Sequence, residues 1–159
     1  MPTVEYITSQ VLTSAIATVT FSSIPQNYTD LIVELNVTPS ADIDMLGTIN
    51  NTTTTIYSNT RLTGNGTSVS SYRSSNSSSF LATINNISAG AGVISKLHFM
   101  SYSNTAIHKT ILHEGARAAA GTQRTVQLWR SNSAISRLDF LAISGTFVAG
   151  SKFTIWGVK

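Results

Sequence analysis

Two groups of side chains in this 159-residue sequence have the types that metal or acid–base chemistry uses. His108, His113 and Glu114 combine two imidazoles with a carboxylate, the donor types of a zinc centre or an acid–base pair. Their spacing works against both uses. Residues five apart point to opposite faces of a strand and do not share a stripe on a helix, so these are read as surface histidines or as histidines satisfied internally. His98 has no partner within local reach. Asp42 and Asp44 share a face if their stretch is extended, as paired carboxylates for calcium or glycoside cleavage would. No Asp-x-Asp-x-Asp-Gly loop and no third acidic ligand lies close by, and a solvated turn is the stronger reading. No metal and no cofactor is expected.

Nucleophilic chemistry fares no better. Serine is abundant, yet there is no Gly-x-Ser-x-Gly elbow, and Gly150-Ser151-Lys152 lacks the partner glycine of a phosphate loop. Cysteine is absent, which removes thiolate catalysis, disulfides and Cys-type zinc sites together. Asn36-Val37-Thr38 and Asn65-Gly66-Thr67 are sequons of the kind that chance supplies in so Asn- and Thr-rich a chain. The reading is therefore a non-enzyme. What remains are aromatics: Trp129, Trp156, Tyr57 and Tyr72 have faces that can stack on sugars, and Phe153 joins them in the last apolar segment. These five are the candidate interface or ligand contacts, with core or interface packing weighing more than sugar binding.

The elements that must position these residues are strands. Only 11% of the chain is charged, under half of the roughly 25% usual for soluble domains. Ser, Thr and Asn take over the wetting of the surface, in runs such as Asn50-Asn51-Thr52-Thr53-Thr54-Thr55 and Ser74-Ser75-Asn76-Ser77-Ser78-Ser79. None is a strong helix former. Period-two alternation recurs: Ala15, Ala17, Val19 and Phe21 share a face, as do Leu31, Val33, Leu35 and Val37, then Val93, Leu97 and Phe99. Further strands are predicted around 109–113, 125–129, 135–143 and 153–158, and the last of these is apolar on both faces, as a central or covered strand is. Between residues 40 and 86 the pattern weakens, which predicts short strands joined by long Ser/Thr/Asn-rich loops. Gly115 to Gly121 reads as a small-residue loop. The fold class predicted from these segments is all-β, a sandwich or barrel closed by antiparallel pairing and forming one domain over residues 1–159.

A net charge of +3 is spread along the chain without a Lys/Arg run, so no nucleic-acid track is expected. There is no apolar run long enough to span a bilayer and no signal-peptide pattern, so neither a membrane association nor export is expected.

Phe21-Ser22-Ser23-Ile24-Pro25 with Tyr28-Thr29-Asp30-Leu31, then Tyr57-Ser58-Asn59, then Leu128-Trp129-Arg130 and Trp156-Gly157-Val158 follow in an order that resembles a family of tailed-phage and prophage virion structural proteins. The opening, Val19-Thr20-Phe21-Ser22-Ser23-Ile24-Pro25 followed by Tyr28-Thr29-Asp30-Leu31, is similar to the Phe-Ser-Ser-Ile-Pro and Tyr-Thr-Asp-Leu segments of that family. Tyr57-Ser58-Asn59 with the Gly64-Asn65-Gly66 turn is similar to its middle. The ending is the closest match: Leu128-Trp129-Arg130-Ser131-Asn132-Ser133-Ala134-Ile135, then Ala149-Gly150-Ser151 leading into Trp156-Gly157-Val158, where the family closes on Tyr-Gly-Ile. Gly47-Thr48-Ile49-Asn50-Asn51 departs from the family's Arg-Phe-Asn-Gly-Asp stretch. The resemblance implies a jelly-roll-like sandwich on the outer surface of a virion assembled in the bacterial cytoplasm. The role it implies is head decoration, a cement that bridges capsomers by contacting the major capsid protein and copies of itself, expected as a homotrimer. The alternative is a tail fibre, tip or spike module that binds a host-surface glycan; a chain of 159 residues has no shaft of the kind a fibre needs, which favours the head.

Overall fold

The computed structural model describes residues 3–42, 44–117 and 121–159. Twelve strands follow one another: β1 (Val4–Val11), β2 (Thr18–Phe21), β3 (Asp30–Val37), β4 (Met45–Ile49), β5 (Tyr57–Gly64), β6 (Val69–Ser77), β7 (Phe80–Leu81), β8 (Val93–Met100), β9 (Lys109–Arg117), β10 (Gly121–Trp129), β11 (Leu138–Ala142) and β12 (Lys152–Val158). No helix occurs among the described residues. The strands form an eight-stranded sheet, in the order β1-β12-β3-β8-β9-β10-β5-β6, and a four-stranded sheet, β2-β11-β4-β7. Every strand pair is antiparallel. The fold is a jelly-roll-like β-sandwich: of the sandwich and barrel that the alternation allows, it is the sandwich, as the resemblance implies.

Alternation decides what lies between the sheets. Leu31, Val33, Leu35 and Val37 of β3 are all buried, as are Val93, Leu97 and Phe99 of β8 and Phe153 and Ile155 of β12. Across from them the small sheet supplies Val19, Phe21, Met45, Leu138 and Phe140. Aromatic rings knit the layers: Phe80 meets Phe99 and Phe140 edge-on, and Phe147 meets Phe153 the same way. Each fully buried aromatic of this kind contributes roughly 2–3 kcal/mol of burial. The final strand is interior to the sheet, paired with β1 on one side and β3 on the other; its Phe153 and Ile155 are buried in the core, while Trp156 and Val158 alternate with them and are half-buried.

Two glycines are required by rings lying on the backbone. A Cβ on Gly47 would fall 2.2 Å from Cζ of Phe80, and one on Gly157 would fall 2.4 Å from the Tyr28 ring. Phe80 is enclosed and has nowhere to go. Gly47→Ala is therefore expected to cost about 2 kcal/mol and to lower the urea midpoint, by the usual penalty for overfilling a packed core. Gly64→Ala, where a Cβ meets nothing within 4 Å, is the comparison; equal midpoints for the two variants would mean that Phe80 moves aside freely.

The Ser-rich tract differs from expectation. Instead of one long loop, residues 69–77 form β6, the edge strand beside β5. An edge strand that extends past the core is solvated on both faces and needs no apolar alternation, so its sequence carried no strand signal. Long polar loops remain at residues 50–56 and 82–92. Among the other segments, 135–143 is strand only over β11, and the small-residue stretch from Gly115 continues β9 to Arg117, with residues 118–120 outside those described.

Candidate binding face

The outer face of the eight-stranded sheet is not covered by any other element among the described residues, and register fixes which side chains meet there. Thr154, Glu34, Lys96, Glu114, Arg124 and Leu62 are direct cross-strand neighbours in succession from β12 to β5. The four central members alternate in charge. A second row runs beside it: Tyr6, Trp156, Ile32, His98, Leu112 and Val126, again each opposite the next. Neighbouring strands lie about 4.8 Å apart, so each row presents one side chain at every such step. Two adjoining depressions, of about 600 and 430 Å³, lie over these rows and share Lys96, Glu114 and Arg124.

The polar groups of the face are partly engaged with one another. Arg124 Nη2 stands 2.7 Å from Glu114 Oε2, and Trp156 Nε1 donates to Glu34 Oε2 at 3.0 Å. The Glu114–Arg124 pair is exposed and contributes little to stability. Lys96 stands between Glu34 and Glu114 and makes no ion pair within 4.0 Å among the described residues. His98 Nε2 donates to Asp30 at 2.8 Å, and the other Asp30 oxygen accepts from the Ser101 backbone. Val126 and Leu62 are each 55% exposed, and Ile94 is 67% exposed. The face can thus hold a partner that is apolar along one line and hydrogen-bonding along the next.

The five aromatic candidates are divided by the fold. Trp129, Tyr57 and Phe153 are buried in the core of this chain. The reason for Trp129 is that β10 turns its odd-numbered residues inward and its apolar Val126 outward, the inverse of what hydrophobicity alone would assign. Among the described residues its Nε1 has no acceptor, and neither has Asn59 Oδ1 a donor. Tyr57 is held by its hydroxyl, which accepts from the Ile49 backbone at 2.9 Å and donates to Thr52 O at 3.1 Å; burial pushes its pKa up to about 12. Trp156 stays at the margin of the open face, its ring edge-on to Tyr6 with centroids 5.7 Å apart. Tyr72 is exposed on β6.

The histidines and aspartates also find places. His108 is exposed, while Glu114 lies on the outer face and His113 on the inner one. Asp44 and Asp42 accept from the backbone amides of Asn86 and Ala89, at 2.7 and 2.8 Å, and so anchor the 82–92 loop. No group of three or more metal-ligating side chains is found among the described residues. No residue of the charged row except Glu114 stood out in the sequence, because outward positions become a site only when strand order makes them neighbours.

No protein-family model matches this chain, and no curated protein matches it. Solved structures similar to it include the galectin LEC-6 of Caenorhabditis elegans, at 13% identity, with 95% of each chain covered and a TM-score of 0.39. The marine PL-14 alginate lyase of Aplysia kurodai is similar at 10% identity over 86% of this chain and 71% of that one, with a TM-score of 0.38. The endo-β-1,4-glucuronan lyase of the fungus Trichoderma reesei is similar at 11% identity over 99% and 85%, with a TM-score of 0.32. Likenesses this distant carry no argument about what this chain binds or does.

Proposed function

We propose that this chain is a structural component of a tailed-phage virion that works by binding, as a head decoration protein whose open eight-stranded sheet face docks on the capsid. The observation that supports it is the uncovered band of Ile32, Leu112, Val126 and Leu62 beside the alternating charges, a face with apolar area to bury and polar groups to set register. The resemblance in segment order supplies the particle. Each copy contributes a modest contact, and repetition over the shell multiplies it.

The test compares virions with and without the protein under heat, low salt and osmotic shock. Decorated particles release their DNA at a higher threshold, and Leu112→Asp, which sets a charge in the middle of the exposed band, lowers head occupancy at least tenfold while leaving the melting temperature within about 2 °C, as surface changes usually do. Stripped particles that are equally robust but no longer adsorb to cells would replace this reading with a second one, a glycan-binding module of the tail. The observation that favours the second reading is the placement of Trp156 beside Glu34: an aromatic face next to a carboxylate suits the apolar face and the hydroxyl edge of a sugar.

A further inference from the structure

A second polar cleft lies away from the open face, at the far end of the sandwich where β5 and β6 extend past the core. It has a volume of about 420 Å³ and lies between the inward side of those strands and the loop around Asn85 and Asn86. Arg61 and Arg117 both line it. The Arg61 guanidinium lies 4.4 Å from the centroid of the Tyr72 ring and donates through Nη1 to Asn85 Oδ1 at 2.7 Å. Arg117 donates through its own Nη1 to Asn86 O at 2.8 Å and Ser88 Oγ at 3.2 Å.

These contacts orient the two guanidiniums without neutralising them. Among the described residues neither is within 4.0 Å of a carboxylate. Asp44, just before β4, accepts from the Asn86 backbone and from Asn85 Nδ2 and does not line the cleft. A guanidinium carries five N–H donors in a fixed fork, so each keeps donors beyond Nη1. Two unneutralised forks facing one cleft attract a carboxylate in bidentate geometry. The rest of the lining is hydroxyl and amide, including Thr63, Ser70 and Gln123, and Tyr72 is 53% exposed. Those groups match the hydroxyls and the ring face of a sugar.

We propose that this cleft binds an acidic saccharide, its carboxylate held by Arg61 and Arg117 and its ring laid along Tyr72. The activity is separate from docking through the open sheet face, and it would give a particle carrying many copies a weak, multivalent grip on an acidic polysaccharide.

The test is titration calorimetry of the whole chain with a tetramer of galacturonic acid, against a neutral galactose tetramer of the same length. The acidic tetramer binds, the neutral one binds at least tenfold more weakly, and affinity falls as salt is raised from 50 to 500 mM. Arg117→Gln, at a half-buried position, and Tyr72→Ala, at an exposed one, each weaken binding about tenfold, while Leu112→Asp on the sheet face leaves it unchanged. No binding of the acidic tetramer by the natural chain, equal binding of the neutral one, or a loss in Leu112→Asp with none in Arg117→Gln would overturn the proposal. The capsid experiment is read on other particles by another signal, so either idea can fail alone.

Discussion

Replacement of Lys109 by methionine is expected to lower the melting temperature by roughly 6–12 °C. The chain has few charges, and this one is fully buried at the start of β9. Its Nζ donates to three backbone carbonyls: that of Asn104, that of Ile107 at 2.7 Å and that of Asn132 at 3.3 Å. The ammonium thus ties the 101–108 loop to the turn after β10. Burial holds its pKa below the ordinary lysine value, and the three carbonyls compensate for the water it has lost. Methionine fills the space of the stem but leaves those acceptors unpaired. An unsatisfied buried acceptor costs about 1–3 kcal/mol, and with partial rehydration the sum is about 3 kcal/mol. For a chain of this size each kcal/mol moves the midpoint by about 2–4 °C. Scanning calorimetry of the two proteins decides it, and a shift under 2 °C would mean that water replaces the ammonium.

The second large effect is on pH. His113 Nε2 lies 2.9 Å from Ser95 Oγ, and that hydroxyl gives its proton to Ala82 O at 2.6 Å. Nε2 must therefore carry the imidazole hydrogen. Nδ1 then accepts from Thr125 Oγ1 at 3.3 Å, while the same oxygen accepts from Gln123 Nε2 at 3.1 Å. Burial disfavours the imidazolium, so the pKa falls from 6.5 to about 4. Between those values the unfolded chain binds more protons than the folded one, and stability rises with pH. Acidification from pH 7 is expected to remove about 3 kcal/mol, the loss starting near pH 6.5 and levelling near pH 4. Below that, a second loss begins. Burial alone would raise the Asp139 carboxyl, but hydrogen bonds from Arg137, Thr20 and Thr48 hold it below the usual range, so its stabilising contribution fades only as pH drops through that lowered value. Urea midpoints measured from pH 7 to pH 3 test both steps. In His113→Gln, whose amide can reach both hydroxyls without titrating, the step between pH 6.5 and 4 disappears; its persistence would assign it to another group.

His113 also marks the limit of what the sequence discloses. The strands with apolar inward faces, β3 and β8 above all, are legible because burial and hydrophobicity coincide in them. β9 and β10 invert the rule over half their length: Gln123, Thr125, Gln127 and His113 are buried while Leu112 and Val126 are not. There the inner face packs on β7, the edge of the small sheet, and on the residues that follow it to 84, whose backbone groups it satisfies. Gln127 closes a two-bond ring with Leu81, accepting from its N–H at 2.7 Å and donating to its carbonyl at 2.8 Å. Polar residues are what such a partner requires, and no periodicity reveals the partner. The same holds for the open face. Glu34, Lys96, Glu114 and Arg124 are single outward charges on four strands, and their alternation exists only after β3, β8, β9 and β10 have been laid side by side. His98 shows it in miniature: its partner Asp30 is 68 residues away.

The interior position of β12 bears on when the molecule becomes complete. Among the described strands β1 pairs only with β12, so during synthesis β1 waits through about 140 residues of growth before its partner is made. Until then β3 is itself a bare edge, with the apolar Leu31, Val33, Leu35 and Val37 only half enclosed. Closure depends on contacts that span nearly the whole sequence, the kind that form slowly. An intermediate that lacks β12 is then a six-stranded layer, β3-β8-β9-β10-β5-β6, with β1 unattached, and the seven-residue β12 acts as the zip that joins the two.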